Sequence, residues 1–325
     1  MLLLSIRAQS TRNKLTHKPN TSASAAKAEA FLLEYAHREE GVTPMAYCNT
    51  CYRHCHLEEG MQGACRARIC RGEEVVPSGY GEITAIALDP IEKKPLARFM
   101  PGSVILSVGG MGCNLNCPFC QNYDISYAHK DPEIDIPDTR YISPERLVET
   151  ALGLRERGNI GIAFTYNEPL TAWEYVRDTG RLSHEAGMKN VLVSNGCASL
   201  EVLEEILPYI DAMNIDLKTF EPDIYSKVLG GSLDYVKSFI ERACRDSHME
   251  ITTLVVPGIS DSEDMIRDMA SWIASLPGGK DITYHLTRFF PRYKMDDVKA
   301  TDVELIYHLA DVAGEYLDHV FTGNC

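Results

Sequence analysis

From residue 104 onward, short apolar runs alternate with stretches of helical periodicity. Continuous apolar strands separated by helices are typical of a parallel sheet that is buried on both faces. The apolar runs cover residues 104–108, 160–164, 191–193, 213–217, 251–256 and 282–286, and a short last strand is expected near 319–322. Right-handed crossovers curl such a sheet into a barrel or a doubly wound fold, and six units are too few for a closed eightfold barrel. The pattern therefore predicts an α/β fold whose chemistry is carried by loops at the carboxyl ends of the strands.

Helix-start signals separate the apolar runs. Ser143 followed by Pro144 opens one predicted helix, and Gly158 follows its end. Ser260 and Glu263 have the spacing of a capping box, which predicts a helix that begins after Ser260. Further helices are predicted over residues 169–186, 200–207, 233–244 and 302–316. Before the first apolar run, residues 74–76 and 83–88 are predicted to be strands and residues 89–96 a loop.

Three cysteines follow the first apolar run at a Cys-x3-Cys-x2-Cys spacing: Cys113, Cys117 and Cys120. A short loop with this spacing can wrap one side of an iron–sulfur cubane and bind three of its four irons. Ferredoxin clusters use four thiolates, so three thiolates leave one iron with an open position, where exogenous chemistry takes place on a metal. A three-thiolate zinc site and three buried core cysteines are the alternatives. We favour a [4Fe-4S] cluster, because three thiols at this spacing directly after a strand are uncommon.

This cysteine loop resembles the signature of the radical S-adenosylmethionine (SAM) superfamily. The resemblance implies that the open iron chelates SAM through its amino and carboxylate groups. It also implies that an electron from the cluster cleaves SAM to methionine and a 5'-deoxyadenosyl radical, which abstracts hydrogen from a substrate. Phe119, the aromatic residue before the third cysteine, corresponds to a residue that lies near the adenine in such enzymes.

A wider resemblance points to one branch of that superfamily. Residues 89–96, 165–169 and 322–324, together with the cysteine loop, resemble the AmmeMemoRadiSam-system radical SAM proteins, which are related to pyruvate formate-lyase activating enzyme. The resemblance covers roughly residues 45–325 and implies a partial (β/α)6 TIM-like barrel. It also implies an electron donor of the ferredoxin or flavodoxin type, and the branch name suggests Memo-type or AMMECR-type partner proteins.

The segment after the second strand is the first cofactor contact that the resemblance implies. Relatives have a Gly-Gly-Glu-Pro segment here, which binds the SAM amino group. This chain keeps Glu168 and Pro169 and has Tyr166 and Asn167 in place of the two glycines. Asn167 and Glu168 are therefore predicted cofactor contacts. The alternative for Glu168 is a carboxylate that stabilises a helix N-terminus through the macrodipole.

The third and fourth strands end in further segments of this kind. Ser194 and Asn195 resemble part of the Asp-Thr-Asn-Gly segment of glycyl-radical activating enzymes, with Val193 in place of the aspartate. Asp216 and Lys218 resemble the Asp-Leu-Lys of those enzymes, in which the aspartate helps to hold a monovalent cation beside the SAM carboxylate and the lysine lies near the cofactor. The two residues share one face of a strand. All four polar residues are predicted cofactor contacts, and a salt bridge at the barrel rim is the alternative for the last pair.

The sixth apolar run supplies two more candidates. His285 and Arg288 are predicted to contact the SAM ribose or the substrate. The guanidinium of Arg288 suits a carboxylate or a phosphate, because its donors form a planar fork. A satisfied core histidine is the alternative for His285.

A second group of cysteines lies nearer the start of the chain, at a Cys-x2-Cys-x3-Cys-x9-Cys spacing: Cys48, Cys51, Cys55 and Cys65. Turns at Gly60 and Gly63 would bring the fourth thiolate back to the first three, and four thiolates leave no open position on a metal. Zinc and an auxiliary iron–sulfur cluster both suit thiolates, and the spacing does not choose between them. The alternatives are a metal-free module and the replacement of one thiolate by His54, His56 or Cys70.

We predict three segments: a disordered tail over residues 1–25, a Cys-rich module with a metal site over 26–100, and the catalytic core over 101–325. A short helix is expected over about residues 24–37. Residues 1–28 contain five basic side chains and no acidic one, a composition typical of an organellar transit peptide. We favour a disordered tail over a transit peptide.

Composition narrows the functional classes. A net charge of −14 argues against non-specific nucleic-acid binding, which depends on neutralising phosphates. No apolar stretch approaches the ~20 residues of a membrane span. The 11 cysteines are odd in number and clustered, which indicates metal ligation in a reducing compartment rather than disulfides. We therefore expect a cytoplasmic protein without membrane association, with organellar import as the alternative.

These observations predict a radical SAM enzyme that abstracts hydrogen from an unidentified substrate, either a glycyl radical enzyme or another protein or peptide. One alternative is a radical SAM enzyme that modifies RNA or a small molecule. The other, from a different class, is a zinc-stapled scaffold without catalytic activity.

Overall fold

An eight-stranded sheet organises the computed structural model, which describes residues 45–325. The tail predicted over residues 1–25 and the helix predicted over 24–37 lie outside the described residues. In chain order the strands are β1 (Met45–Tyr47), β2 (His56–Glu58), β3 (Arg68–Arg71), β4 (Glu74–Pro77), β5 (Glu82–Ile83), β6 (Ala85–Pro90), β7 (Val104–Gly109), β8 (Arg140–Tyr141), β9 (Asn159–Phe164), β10 (Lys189–Ser194), β11 (Ala212–Asp216), β12 (His248–Val255), β13 (Thr283–Arg288) and β14 (Val320–Gly323).

The large sheet has the order β14-β13-β12-β11-β10-β9-β7-β6. Strands β7 and β9 to β14 pair in parallel, and β6 pairs antiparallel with β7. Strands β6 and β14 lie at the two ends of this order, so the barrel is partial. The predicted (β/α)6 barrel is confirmed.

Helices connect the parallel strands. They are α1 (Tyr123–Ser126), α2 (Pro144–Gly153), α3 (Trp173–Glu185), α4 (Leu200–Ile206), α5 (Pro222–Lys227), α6 (Leu233–Ala243), α7 (Glu263–Ala274) and α8 (Val303–Gly314). Short 3₁₀ turns lie at Ile91–Lys93, Arg155–Arg157, Pro169–Ala172, Leu207–Tyr209 and Gly279–Asp281. None of the helices within the described part of the chain is long and apolar enough to span a bilayer.

The capping box predicted at Ser260 is wrong by two residues. Helix α7 begins at Glu263, and its N-cap is Ser262, whose hydroxyl accepts a hydrogen bond from the Met265 N–H at 3.2 Å. The Ser260 hydroxyl instead accepts from the Val256 N–H at 2.9 Å and donates to the Leu254 carbonyl at 2.7 Å. Ser260 therefore closes the turn after β12, a competing use of serine that the spacing alone does not distinguish.

Alternate side chains of each strand enter two different environments. Leu106, Ile162, Leu192 and Met213 belong to the main hydrophobic cluster, which also contains the buried side chains of the helices. Their neighbours Ile105, Ala163, Val191 and Ala212 form a smaller cluster with Ile91 and Leu96. Because successive strand residues point to opposite faces, this second cluster lies inside the barrel.

The segment between β6 and β7 forms the floor of the barrel. Asn214, on the inner face of β11, donates its side-chain amide to the Pro95 carbonyl at 2.8 Å. Buried Glu250 of β12 accepts hydrogen bonds from the backbone N–H groups of Ala97 and Arg98, both at 2.9 Å. The floor is therefore tied to two neighbouring strands.

The Cys-rich segment packs against the barrel and contains two hairpins, β1–β2 and β3–β4. Buried Arg68 of β3 forms an ion pair with Glu174 at 2.7 Å and donates to the Thr171 carbonyl at 3.1 Å. The segment boundary predicted at residue 100 lies between β6 and β7, which pair in one sheet. Residues 85–90 are thus part of the barrel sheet.

Glu250 generates a stability prediction. Burial alone would raise its pKa, but hydrogen bonds from His248, His285 and the two floor amides lower it to about 2. A carboxylate with a lowered pKa stabilises the folded state above its ordinary pKa, and this contribution is lost as the pH falls towards the folded value. At roughly 1.4 kcal/mol per pKa unit, the contribution is on the order of 3 kcal/mol at neutral pH.

We expect Glu250→Gln to destabilise the protein by about that amount at pH 7 and progressively less below about pH 4. Urea unfolding of wild type and variant between pH 3.5 and 7 measures the difference. Exposed Glu241→Gln serves as the matched control and should change stability little. A pH-independent difference between Glu250→Gln and wild type would contradict the assignment.

Candidate active site

A cavity of about 830 Å³ lies within the partial barrel, between its floor and the loops at the carboxyl ends of the strands. The floor contributes Lys93, Lys94, Pro95 and Ala97, and the end of the chain contributes residues 321–324. Most of the residues predicted from the sequence line this cavity: Cys113, Cys117, Phe119, Cys120, Asn167, Glu168, Ser194, Asn195, Asp216, Lys218 and His285. The structure therefore brings together side chains that are up to 172 positions apart in the sequence.

The cysteine loop follows β7 directly. The Asn116 N–H donates to the Leu229 carbonyl at 2.7 Å, and the Cys120 N–H donates to the Cys117 carbonyl at 3.3 Å. Burial raises the pKa of Cys117 to about 11 and also raises the pKa values of Cys113 and Cys120. Thiols that are buried in this way lose their protons only to a strong positive charge, and a metal centre supplies one.

Glu168 is fully enclosed at the end of β9 and is 2% exposed. One carboxylate oxygen accepts from the Ser194 hydroxyl at 2.8 Å and from the Leu170 N–H at 3.0 Å. The other accepts from the Asn195 N–H at 2.8 Å. Burial outweighs these hydrogen bonds and raises the pKa of Glu168 to about 7. The carboxylate lines the cavity, so a cationic group that enters there would favour its ionised form.

Asn167 holds the backbone before the cysteine loop. Its side-chain carbonyl accepts from the Gly110 N–H at 3.0 Å, and its amide donates to the Gly112 carbonyl at 3.0 Å. Tyr166, which replaces a family glycine, adopts a left-handed φ of 73° that glycine normally supplies. Tyr166 therefore makes a turn of the kind that glycine favours.

Asn195 and Asn114 connect β10 with the cysteine loop. The Asn195 amide donates to the Asn114 side-chain oxygen at 2.8 Å and lies 3.6 Å from the Cys113 sulfur. Asn114 in turn donates to the Cys197 carbonyl at 2.8 Å. Asn114 was missed by the sequence analysis, although it lies within the cysteine motif.

Asp216 and Lys218 form the ion pair that was named as the alternative to cofactor contact, with 2.9 Å between carboxylate and ammonium. Burial alone would lower the pKa of Lys218, but the Asp216 carboxylate and Cys117 raise it above its ordinary value. Both side chains also line the cavity. The pair therefore places one negative and one positive charge beside the cysteine loop.

The two candidates from β13 differ in their surroundings. His285 lines the cavity, but its Nε2 is bonded to the Glu250 carboxylate at 2.6 Å, and its ring stacks on Phe321. Arg288 is not among the residues that line the cavity, and its contact with cofactor or substrate stays a prediction. Its Nε donates to the Thr301 carbonyl at 2.7 Å, and its guanidinium lies 4.8 Å from the Phe290 ring centre. A local backbone acceptor and an aromatic ring thus hold the arginine outside the cavity.

A polar group that sequence reasoning did not assemble lies where the floor meets the Glu168 loop. Asp89 accepts from the Lys94 ammonium at 2.8 Å and from the Tyr166 hydroxyl at 2.7 Å. The Lys94 ammonium also lies 4.7 Å from the Tyr166 ring centre. Asp89 and Lys94 both belong to the charged segment 89–96. The resemblance of this segment to the AmmeMemoRadiSam branch was the sequence signal that could have identified this polar group.

Residues 108–272 match the radical SAM superfamily. The chain belongs to this superfamily. An uncharacterized protein of Methanocaldococcus jannaschii is 37% identical over 280 residues, which are 85% of this chain and 80% of that protein. The pyruvate formate-lyase 1-activating enzyme of Escherichia coli is 25% identical over 217 residues, 63% of this chain and 86% of that enzyme. The crystal structure of Streptococcus suis SuiB bound to S-adenosylmethionine has the same core fold, with a TM-score of 0.52 at 13% identity over 68% of this chain and 52% of SuiB.

Radical SAM enzymes use a [4Fe-4S] cluster and SAM, and the cavity of this radical SAM protein has the donors for both. Three thiols, Cys117 buried and Cys113 and Cys120 partly buried, lie on one loop that lines the cavity, and each of them suits one iron of a cluster. Opposite charges suited to the amino and carboxylate groups of SAM line the same cavity, at Glu168 and at the Asp216–Lys218 pair. The residues present therefore fit the superfamily's cofactors.

The raised pKa of Glu168 predicts a pH dependence of SAM binding. Above about pH 7 the carboxylate is ionised and can accept hydrogen bonds from the SAM amino group, whereas below about pH 7 the carboxyl group must first lose its proton. We expect the affinity of the reconstituted enzyme for SAM to fall by up to about tenfold per pH unit below 7. Equilibrium dialysis between pH 5.5 and 8 measures it.

Glu168→Gln should bind SAM weakly and without this pH dependence, and exposed Glu241→Gln should behave like wild type. If Glu168→Gln retained the wild-type pH profile, another group would be responsible for it.

Proposed function

We propose that this radical SAM enzyme acts on a protein or peptide, with a glycyl radical enzyme as the first candidate. The observation that carries the proposal is the shared cavity, in which the three thiols of residues 113–120 face the same space as Glu168 and Lys218. When bound, the cluster and SAM together supply a 5'-deoxyadenosyl radical that abstracts hydrogen from the substrate.

The residues of this chain have distinct roles in that activity. Cys113, Cys117 and Cys120 would hold the cluster. Glu168 would bind the SAM amino group, and Lys218, with its charge maintained by Asp216, would pair with the SAM carboxylate. Hydrogen bonds from Ser194 and Asn195 fix the position of the Glu168 carboxylate. The hydrogen bond from Asn195 to Asn114 fixes the position of the cysteine loop relative to that carboxylate. Buried Phe119 closes the cavity beside the third cysteine and excludes water there.

The position of the cavity supports a macromolecular substrate, and its size allows a substrate segment beside SAM. A volume of about 830 Å³ is near the upper end of the ~300–1,000 Å³ typical of ligand pockets, which leaves room for a substrate segment beside SAM. Residues 321–323 of β14, a strand at one end of the sheet, line the cavity. An extended peptide could therefore enter beside a sheet edge, as in other strand-edge recognition. Curated relatives include activating enzymes of pyruvate formate-lyase and of indoleacetate decarboxylase.

The alternatives have less support. RNA as a substrate would have to approach a chain with a net charge of −14. A non-catalytic scaffold that is stabilised by zinc does not require a buried carboxylate and an ion pair that line an open cavity. A ferredoxin-type or flavodoxin-type electron donor, a Memo-type or AMMECR-type partner and a cytoplasmic location belong to the same proposal.

Cleavage of SAM gives the first test. Anaerobically reconstituted protein should release 5'-deoxyadenosine under dithionite, measured by liquid chromatography. Cys117→Ala should lower the rate at least a hundredfold, because one iron loses its protein ligand. The control Cys244→Ala, whose thiol lies outside the cavity, should stay within about twofold of wild type. Equal release by Cys117→Ala and wild type would refute the assignment.

The substrate class needs a separate test. We expect an organic radical signal in electron paramagnetic resonance when the reduced enzyme and SAM are mixed with a glycyl radical enzyme from the same organism. Deuterium transfer from a backbone-labelled partner into 5'-deoxyadenosine would identify the abstracted hydrogen. Stimulation of turnover by RNA or by a small metabolite, with no response to any protein, would contradict a protein substrate.

A further inference from the structure

The second cysteine group has no role in the cavity described above. We propose that Cys48, Cys51, Cys55 and Cys65 bind a second, polynuclear iron–sulfur cluster, which lies behind the cysteine loop of the first. The proposal concerns metal content and does not depend on the substrate proposed above.

Two turns converge to form this site. The Cys48 N–H donates to the Cys55 carbonyl at 2.8 Å and closes the loop that carries the first three thiols, and the His54 N–H donates to the Cys51 carbonyl at 3.1 Å. The fourth thiol follows the turn at Gly63, whose N–H donates to the Arg68 carbonyl at 2.9 Å. A side chain at Gly63 would place its Cβ 3.7 Å from the Cys55 sulfur, so this turn packs directly on the loop.

Three of the four thiols are buried outside the hydrophobic clusters. Cys48, Cys51 and Cys65 are 5%, 7% and 8% exposed, and none of the three belongs to a hydrophobic cluster of the described residues. Cys55 is partly buried and packs against the small cluster that contains Cys70. All described cysteines are free thiols, so no disulfide accounts for the grouping. Thiols that two turns bring together, with neither a disulfide nor membership of an apolar cluster for three of them, suit a set of metal ligands.

The other candidate ligands have different partners. Cys70 is fully buried in a small apolar cluster with Ala46 and Leu57. His54 Nε2 is bonded to the Tyr235 hydroxyl at 2.7 Å, and the His56 ring stacks on Tyr47 with 4.2 Å between ring centres. The four thiols of the original spacing are therefore the ligand set.

The arrangement of the thiols favours a cluster over zinc. Zinc needs all its sulfur ligands about 2.3 Å from one ion, whereas the thiolates of an iron–sulfur cluster are distributed over several irons. Within residues 45–325, no group of three or more His, Cys, Asp or Glu side chains is arranged to hold a single metal ion. That finding includes Cys113, Cys117 and Cys120, which the superfamily uses for a four-iron cluster. It also includes the second group, so neither group is arranged as a single-ion site.

The two cysteine turns are in contact. A Cβ on Gly112, the residue before Cys113, would lie 2.6 Å from the Ala67 side chain and 3.4 Å from the Cys65 carbonyl. Lys130 is bonded to the Leu115 carbonyl at 2.8 Å, within the loop of the first cluster. The positive charge of Lys130 also acts on both Cys65 and Cys113. One ammonium thus compensates negative charge at both thiolate sites.

Metal analysis of the full chain tests the proposal. Wild type that has been reconstituted with iron and sulfide should contain up to about eight irons, of which about four belong to the first cluster. The triple variant C113A/C117A/C120A should lose only those four, keep a brown absorbance near 400 nm and give a dithionite-reducible paramagnetic signal. The variant C48A/C51A should lose the second signal and keep the first, and Cys325→Ala, an exposed cysteine, should change neither.

Two metal contents of the wild type would overturn the proposal. About four irons with one zinc in wild type would make the second site a zinc site, and about four irons with no second metal would leave the thiols unliganded. If the triple variant does not fold, Mössbauer spectra of the wild type decide the matter by counting the iron environments. Loss of SAM cleavage with eight irons retained would instead refute the proposed function and leave the second cluster standing.

Discussion

The buried carboxylate of Glu168 is the interaction on which the site depends. It joins the end of β9 to the end of β10 through Ser194 and Asn195, and the Asn195 amide then reaches Asn114 and the Cys113 sulfur. An ionised carboxylate is costly to bury unless charges and donors compensate it. Its three hydrogen bonds do not do so fully, since its pKa stays near 7. A cationic group beside Glu168 would favour its ionised form, and the same contacts set the position of the cysteine loop.

The two faces of the sheet explain why such a site can exist inside a barrel. The outer face carries large apolar residues such as Leu106 and Leu192, which pack under the helices. The inner face has small residues such as Ala163 and Ala212 near the floor, with polar residues such as Asp216 towards the strand ends. The small inner side chains near the floor are packed against Ile91 and Leu96 of the floor segment. The cavity lies beyond this packing, where residues towards the strand ends such as Ser194, Asp216 and Thr252 line it together with the loops.

Local patterns in the sequence predicted the order of strands and helices, the cysteine loop and the Glu168 segment, because each depends on neighbouring residues. Contacts that depend on strand register were not predictable in this way. His285 pairs with Glu250 because parallel pairing sets Thr252 beside His285, which brings the preceding inward residue of β12 within reach. The hydrogen bond of Arg288 was not predictable for a similar reason, since its acceptor Thr301 is thirteen positions away in an irregular segment. The capping-box prediction was wrong because a serine hydroxyl can form hydrogen bonds with several nearby backbone groups, and the spacing does not show which of them it contacts.

Tyr166, which stands where relatives have a glycine, links the floor of the barrel to the loop that carries Glu168. A non-glycine residue with a positive φ costs on the order of 1–3 kcal/mol unless its surroundings hold it in place. Here the hydroxyl donates to Asp89, the ring lies beside the Lys94 ammonium, and Gly109 leaves room for it, since a Cβ there would stand 2.9 Å from the Tyr166 Cβ. The backbone turn that presents Glu168 therefore depends on the charged floor segment. A glycine would make the same turn without contacting Asp89 or Lys94. With a tyrosine, the position of the Glu168 loop depends on the floor of the barrel.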